Sequence, residues 1–416
     1  MMQAKKVALL GLGTVGSGVL QILINNQAKI VQNAGCQLVP VKALVRNPAK
    51  HKEAARQIKL VTDFDEILHD PEIELVVEVM GGLHPAKEFI SQLLQAKKSV
   101  ITANKDLIAS CGPELVKLAE ENQVALRYEA SVAGGIQILN ALTHGFAGDE
   151  ITQVAGIVNG TTNYILTQMS QQHMSFASAL EQAQKLGFAE ADPTNDVTGK
   201  DAAFKMVILS KFAFGTDIKV TDFHYEGIQK LQSFDVEQAA QLGYTIKLLG
   251  ISRKIGAQLF VEVAPALVPA NSQLAQVDNE YNAVAVQSEA AGTSLFYGPG
   301  AGSLPTANSV VSDLIAASRT QQPFNLYNCQ LSLAAPSSVI DPYYVSMIVP
   351  VTTAPAIVSL LAQHQIKAAD VQAVDDQAGH HLVIQTEPVA QQSLVNFKQA
   401  AEQVGAQVTT YRILAE

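Results

Sequence analysis

The chain has 416 residues, 48% of them hydrophobic and 16% charged, with a formal net charge of −10. That length exceeds one hydrophobic core and predicts two or three domains, and the composition excludes a disordered chain. The acidic balance excludes nucleic acid and an anionic membrane as principal partners.

No apolar run reaches the length of a membrane span, and the N-terminus enters a strand without a secretory signal. Cys36, Cys111 and Cys329 show no CxxC or zinc spacing, which predicts reduced thiols, mostly buried, in a cytoplasmic protein.

The first motif is Gly11-Leu12-Gly13-Thr14-Val15-Gly16, set between a β-type run over 7–10 and a helix over 17–24. A GxGxxG sequence between strand and helix is a dinucleotide signature with a physical basis. Gly11 permits the tight turn, Gly13 lets the backbone approach a pyrophosphate, and Gly16 lets helix pack on strand. The helix N-terminus offers free N–H groups to the phosphates. A second strand over 38–45 ends at Arg46, with Lys50 and Lys52 behind it. An NAD enzyme usually carries an acid there; a cation suits the 2′-phosphate of NADP. A solvated basic loop is the other reading of the same residues.

A buried strand over 75–80 runs into Gly81-Gly82, and Pro85 opens a helix over 86–96. The strand over 99–102 delivers Asn104 and Lys105 to the sheet edge where ligands bind. A strand over 124–128 brings the count to at least five, alternating with helices in a doubly wound pattern. Beyond it, Glu129 and the glycine-rich turn over 132–135 combine a carboxylate with converging carbonyls, either a hard-oxygen cation site or a structural loop.

From 151 onward the alternation ends. A strand over 151–158, a turn at Asn159 capping a helix over 164–171, helices over 176–186, 200–214 and 222–231, and β-like runs over 258–263, 283–287 and 294–297 predict an α+β domain. Within it, 187–205 packs Glu190, Asp192, Asp196 and Asp201 around a Pro turn, then enters an apolar helix. Asp201 and Lys205 stand one helical turn apart, and a lysine in such surroundings snorkels or shifts its pKa. A second glycine-rich segment, around Gly300-Ala301-Gly302, opens a helix over 307–318 that returns to the first domain.

Taken together, the GxGxxG unit, Thr102-Ala103-Asn104-Lys105, the segment 156–166 with its Asn159-Gly160-Thr161-Thr162-Asn163, the 187–205 stretch, and Gly300-Ala301-Gly302 with Pro305-Thr306-Ala307 resemble homoserine dehydrogenase over almost the whole chain. The resemblance implies reversible, NAD(P)-dependent interconversion of L-aspartate 4-semialdehyde and L-homoserine, on the route to threonine, isoleucine and methionine. It implies Lys205 as proton donor or acceptor, Glu190 and Asp201 on the substrate, and Lys105 beside nicotinamide and substrate. It implies Gly187 and Gly302 along the cofactor, and a sodium or potassium ion held at Glu129, Val132, Gly134 and Ile136. A homo-oligomer, dimer or tetramer, is expected.

The tail, after a connector over 325–342, reads β-α-β-α-β over 343–350, 356–363, 381–385, 391–404 and 407–413, with a weak further strand over 370–374. It resembles an ACT domain, although Ala354-Pro355-Ala356 lacks the usual glycine of the first turn. His380-His381 reads as a surface pair on a hairpin, without a third metal ligand.

The expected division is a dinucleotide domain over 1–145 with a return segment over 303–335, a substrate and dimerisation domain over 146–302, and an ACT-like domain over 343–416. Two rivals predict other outcomes: a dehydrogenase of another amino acid or sugar turns over different carbonyls, and a nucleotide sensor binds NADP without turnover.

Overall fold

The computed structural model describes residues 4–320, 324, 328–350, 354–376 and 379–414. In chain order they form β1 (Ala4–Leu10), α1 (Thr14–Asn25), α2 (Gln27–Ala34), β2 (Gln37–Leu44), β3 (Lys59–Val61), α3 (Asp65–Leu68), β4 (Ile73–Glu78), α4 (Ala86–Gln95), β5 (Ser99–Thr102), α5 (Lys105–Asn122), β6 (Leu126–Arg127) and the short α6 (Ile138–Asn140). There follow β7 (Ile151–Ile157), α7 (Gly160–Gln172), α8 (Phe176–Leu186), α9 (Thr194–Val197), α10 (Lys200–Phe214), β8 (His224–Tyr225), α11 (Ser233–Gln241), β9 (Tyr244–Ile255), β10 (Gln258–Pro269), β11 (Tyr281–Ser288), β12 (Gly292–Pro299) and α12 (Ser303–Arg319). The last elements are β13 (Ser332–Leu333), β14 (Ile340–Asp341), β15 (Tyr343–Ile348), α13 (Ala354–Gln363), β16 (Ala368–Asp376), β17 (Gly379–Thr386), β18 (Val389–Ala390), α14 (Gln391–Gln403) and β19 (Gln407–Ile413).

They gather into two compact units. One comprises Met1–Ile151, Phe204–Asp222 and Asn282–Gln330; the other comprises Thr152–Ala203, Phe223–Tyr281 and Leu331–Glu416.

The first unit is built on a parallel sheet in the order β3-β2-β1-β4-β5-β6. Val7, Ala8, Leu9 and Leu10 of β1 and Leu75, Val76 and Val77 of β4 are buried, as strands covered on both faces require. The order reverses direction between β1 and β4, and in such sheets the ligand crevice lies beyond the carboxyl ends of those two strands. Helix α12 joins this core through Ala307, Val310, Val311, Leu314 and Ala317. It lies close on α1: a Cβ on Gly18 would come 2.8 Å from the Ser303 carbonyl, and Ser303 Oγ donates to the Thr14 carbonyl at 2.6 Å.

In the second unit the strand order is β7-β9-β10-β19-β15-β17-β16, with β8 and β13 attached to β10. The longest feature is the antiparallel β9–β10 hairpin, turned at Gly256 in the left-handed region (φ +59°). The tail runs β15-α13-β16-β17-α14-β19, and β19 pairs in parallel with β10 at Ala266↔Arg412 and Leu267↔Ile413. Arg412 fixes that junction, donating from Nε to Glu262 at 2.9 Å and from Nη1 to Asp341, which also binds Arg253. Of the connector, 325–327 lie outside the described residues; β13 and β14 fall within the rest.

Two expectations are corrected. The segment 222–231 is not a helix: His224 and Tyr225 pair with Glu262 and Val263 of β10, and Gly227 lies so near the Val197 carbonyl that a Cβ would reach within 1.7 Å of it. The true helix, α11, starts at Ser233. His380 and His381 are not a surface pair either. His381 is buried and stacks on Phe234 at 4.0 Å, because alternate strand residues face opposite sides; His380 faces Asp375 at 2.6 Å. No helix among the described residues is long and apolar enough to cross a membrane.

Candidate active site

At the glycine motif, Gly11 adopts φ +103° and donates its N–H to the Leu44 carbonyl at the end of β2 at 3.0 Å, tying the start of the turn to the neighbouring strand. A Cβ on Gly16 would meet the Gly11 carbonyl at 2.2 Å, so only glycine lets the helix start there. Around Gly13, the N-cap of α1, a Cβ would meet nothing within 4 Å, and no side chain caps the helix. The first turn of α1 therefore presents uncapped N–H groups in open space, the arrangement that receives a pyrophosphate. Leu12 is buried, while Thr14 is exposed and Val15 half-buried. Arg46, Lys50 and Lys52 are all exposed beyond β2, with Asn47 capping the turn between them.

Across the switch point, the carboxyl ends of β4 and β5 meet at Glu78, which is fully buried. Thr102 Oγ1 donates to it at 2.6 Å and the Met80 N–H at 2.8 Å. Asn104 caps α5, accepting the Leu107 N–H at 3.2 Å, and donates from Nδ2 to the Gly82 carbonyl at 2.6 Å. Lys105, half-buried, is the first residue of α5. Gly302 (φ +113°) is the N-cap of α12.

Glu129 is buried, and its carboxylate accepts the N–H groups of Leu139 and Asn140 at 2.8 and 2.7 Å and Asn140 Nδ2 at 2.6 Å. Asp313 of α12 accepts the Glu129 N–H at 2.8 Å. Burial, then the neighbouring Asp313, pushes the Glu129 carboxyl up to about 8; burial pushes Asp313 up to about 7, against the Glu129 N–H and the Arg127 guanidinium. Burial thus favours the protonated form of both acids, with the Arg127 guanidinium the cation acting on them. The loop turns through Ala133 (φ +52°) and Gly134 (φ +45°), and the Gly134 carbonyl accepts Ser309 Oγ at 2.7 Å. Among the described residues no group of three or more His, Cys, Asp or Glu side chains could hold a metal. The Ile136 carbonyl, like that of Gly134, is engaged as well, accepting the Ile138 N–H at 2.9 Å.

In the second unit, Asn159 performs two tasks. Its Oδ1 accepts the Thr162 N–H at 2.8 Å, capping α7, and its Nδ2 donates to Asp196 at 2.7 Å and to Asp201 at 2.8 Å. Asp201 is thereby held nearly buried at the start of α10; Lys205, half-buried and one turn further along that helix, belongs to the first unit. Gly187 ends α8 in the left-handed region (φ +80°) and is exposed, as is Glu190. Asp192 accepts Thr194 N and Oγ1 at 3.1 and 2.6 Å and so fixes the Pro193 turn.

The sequence reading missed Glu78, Asp313 and the second role of Asn159. The available signal was an acid inside an apolar segment: Glu78 within Leu75–Met80, and Asp313 among the apolar residues of α12.

Two family models match: "Homoserine dehydrogenase, NAD binding domain" over residues 11–129 and "Homoserine dehydrogenase" over 138–315. The chain is 46% identical over 323 residues to homoserine dehydrogenase of Bacillus subtilis, covering 77% of this chain and 74% of the relative. It is 43% identical over 357 residues to that of Lactococcus lactis, covering 83% of each. A solved homoserine dehydrogenase from Thiobacillus denitrificans superposes with a TM-score of 0.94 at 36% identity, covering 100% of this chain and 99% of that one. With a dinucleotide-type sheet, an open helix N-terminus at Gly13 and relatives alike along most of their length, the chain belongs to the homoserine dehydrogenase family, oxidoreductases that use a nicotinamide dinucleotide to interconvert L-aspartate 4-semialdehyde and L-homoserine.

Proposed function

We propose that the reaction runs with NADPH in preference to NADH, and that Lys205 delivers the proton to the substrate oxygen. The bound dinucleotide supplies the hydride. Lys205 stabilises the negative charge growing on the carbonyl oxygen and protonates it; in the reverse direction it takes the proton from the hydroxyl. General acid help of this kind is worth roughly 10²–10⁴-fold. Asp201 and Glu190 accept from the substrate ammonium, and Lys105 orients the reacting end. The observation that carries this reading is the Asn159 amide fixing Asp201 one helical turn before Lys205.

Gly11 to Gly16 hold the pyrophosphate, Arg46 takes the 2′-phosphate, and Gly187 and Gly302 line the cofactor. A sodium or potassium ion rests on the 129–136 loop. Residues 1–145 with 303–335 carry the dinucleotide, 146–302 carry substrate and the contacts of a dimer or tetramer, and 343–416 form an ACT-like module. Steady-state kinetics with homoserine and each of NAD and NADP test the proposal. Turnover with a higher kcat/KM for NADP supports it; equal values for the two cofactors refute the preference. Calorimetry with threonine tests the tail as an effector site, and no heat with no inhibition assigns it to assembly.

A further inference from the structure

The carboxylate of Glu78 takes no part in the chemistry above, yet it is placed at the carboxyl end of β4, in the crevice position of the sheet. A fully buried acid is costly unless donors surround it. Here Thr102 Oγ1 and the Met80 N–H donate at 2.6 and 2.8 Å, and the Gly81 N–H and the Asn104 side chain also face it. Burial pushes the carboxyl above its ordinary range while these donors pull it back.

The donors belong to two separate pieces of chain. Met80 and Gly81 begin the turn through Gly81 and Gly82, both at φ +76°. Thr102 ends β5 and accepts the Asn104 N–H at 3.0 Å; Asn104 then caps α5 and reaches back to Gly82 at 2.6 Å. The result is a closed ring of hydrogen bonds, Glu78–Thr102–Asn104–Gly82 and back along the chain to Glu78. It fixes the Gly81–Gly82 backbone against the first residue of α5, Lys105.

We propose that Glu78 is a positioning residue for the nicotinamide half of the cofactor: it holds the Gly81–Gly82 turn and the start of α5 in the one arrangement that receives the nicotinamide and its ribose. The inference rests on the proposed placement of Lys105. A glutamine at 78 keeps shape and volume but turns one acceptor into a donor facing donors, so the ring opens at one point without a cavity.

The test compares whole dinucleotide with a fragment lacking the nicotinamide half. NADPH, NADH and ADP are titrated into the parent protein and E78Q. The expected result is weakening of both dinucleotides by about tenfold or more, with ADP changed by less than about twofold. Thr102→Val opens the ring at its second member and reproduces the effect, and Thr102→Ser, which keeps the hydroxyl, restores parental affinity. If E78Q does not fold, T102V and T102S carry the comparison. Loss of ADP binding in step with the dinucleotides shows general damage to the sheet edge and overturns the inference, as does parental affinity for all three. The parent's own turnover with homoserine reports separately on the proposed function, so the two can fail independently.

Discussion

The glycine motif makes a prediction in which fold and function separate. Gly16→Ala places a methyl 2.2 Å from the Gly11 carbonyl and 3.3 Å from Val79 Cγ2. Backbone must move by about an ångström to relieve it, and overpacking of this kind costs about 1–3 kcal/mol. The upper end applies because the closest clash is with backbone rather than with a flexible side chain. For a domain of about 200 residues each kcal/mol lowers Tm by about 2–4 °C, so G16A should melt about 6–12 °C early. Gly13→Ala behaves differently. Gly13 has φ −72° and ψ −156°, open to alanine, and a methyl there meets no protein atom within 4 Å. Alanine is a poorer N-cap than glycine by about 0.5–1 kcal/mol, while the stiffer unfolded chain returns about 0.4–1 kcal/mol. The apo Tm of G13A should stay within about 3 °C of the parent. Its dinucleotide affinity should fall about tenfold or more, because the methyl occupies the space by which the backbone approaches a pyrophosphate. Thermal melting of both apo variants and titration with NADPH measure the two quantities. Parental NADPH affinity in G13A would refute the placement of the phosphates over this turn.

Other outcomes follow from the same geometry. Lys205→Ala lowers kcat by about 10²-fold or more with little change in cofactor Kd, and near-normal turnover removes Lys205 from the chemistry. Arg46→Ala weakens NADPH by about 1.5–3 kcal/mol, the worth of a charge-assisted hydrogen bond, and leaves NADH within about twofold; equal losses rule out the 2′-phosphate contact. Asp235 is buried in the second unit, where Ser346 Oγ and Tyr344 Oη donate to it at 2.5 and 3.0 Å and burial pushes its carboxyl up. From about pH 4 to its folded pKa, the folded state keeps a proton that the unfolded state releases, so stability falls as pH rises, by at most about 1.4 kcal/mol per pH unit. Asp235→Asn removes this contribution. Its Tm should decline less than the parent's from pH 4 upward, and parallel Tm profiles would show that Asp235 does not titrate in this way.

The elements most legible in the sequence have both ends marked by local chemistry. Helix α8 starts at the Ser175 cap, which accepts the Ser178 N–H at 3.2 Å, and ends at Gly187 in the left-handed region; both signals sit in the sequence beside the helix. The strand β5 is a short apolar run between a lysine pair and Asn104. By contrast, β9 gave no sign: Lys247, Gly250 and Ser252 interrupt its apolar pattern because all three are buried by tertiary contacts. Lys247 is 1% exposed and donates to the Val277 carbonyl at 2.6 Å, a partner 30 residues away. The segment 222–231 carries helix-forming residues, but pairing of His224 and Tyr225 with β10 outweighs that weak preference.

The site divides along the same line. Gly11, Gly13 and Gly16 are readable because each role concerns the shape of a backbone turn only a few residues long. Glu78, Asn159 and Asp313 act on partners 24, 37 to 42 and 184 residues away, and no spacing rule links such positions. What can be read is the anomaly each creates, a charged or amide side chain where the pattern demands an apolar residue or a simple cap. Burial of a carboxylate is tolerated only when donors converge on it. An acid inside a buried strand therefore says that several backbone or hydroxyl groups from elsewhere must meet there, even though their identity stays hidden. At Glu78 those groups come from the ends of two strands beside the switch point, where hydride-transfer enzymes of this architecture place the reacting ring. An acid at the end of an apolar strand in a dinucleotide sheet thus marks a backbone junction that the cofactor needs held still, and it is this kind of residue, rather than the glycines, that a motif search passes over.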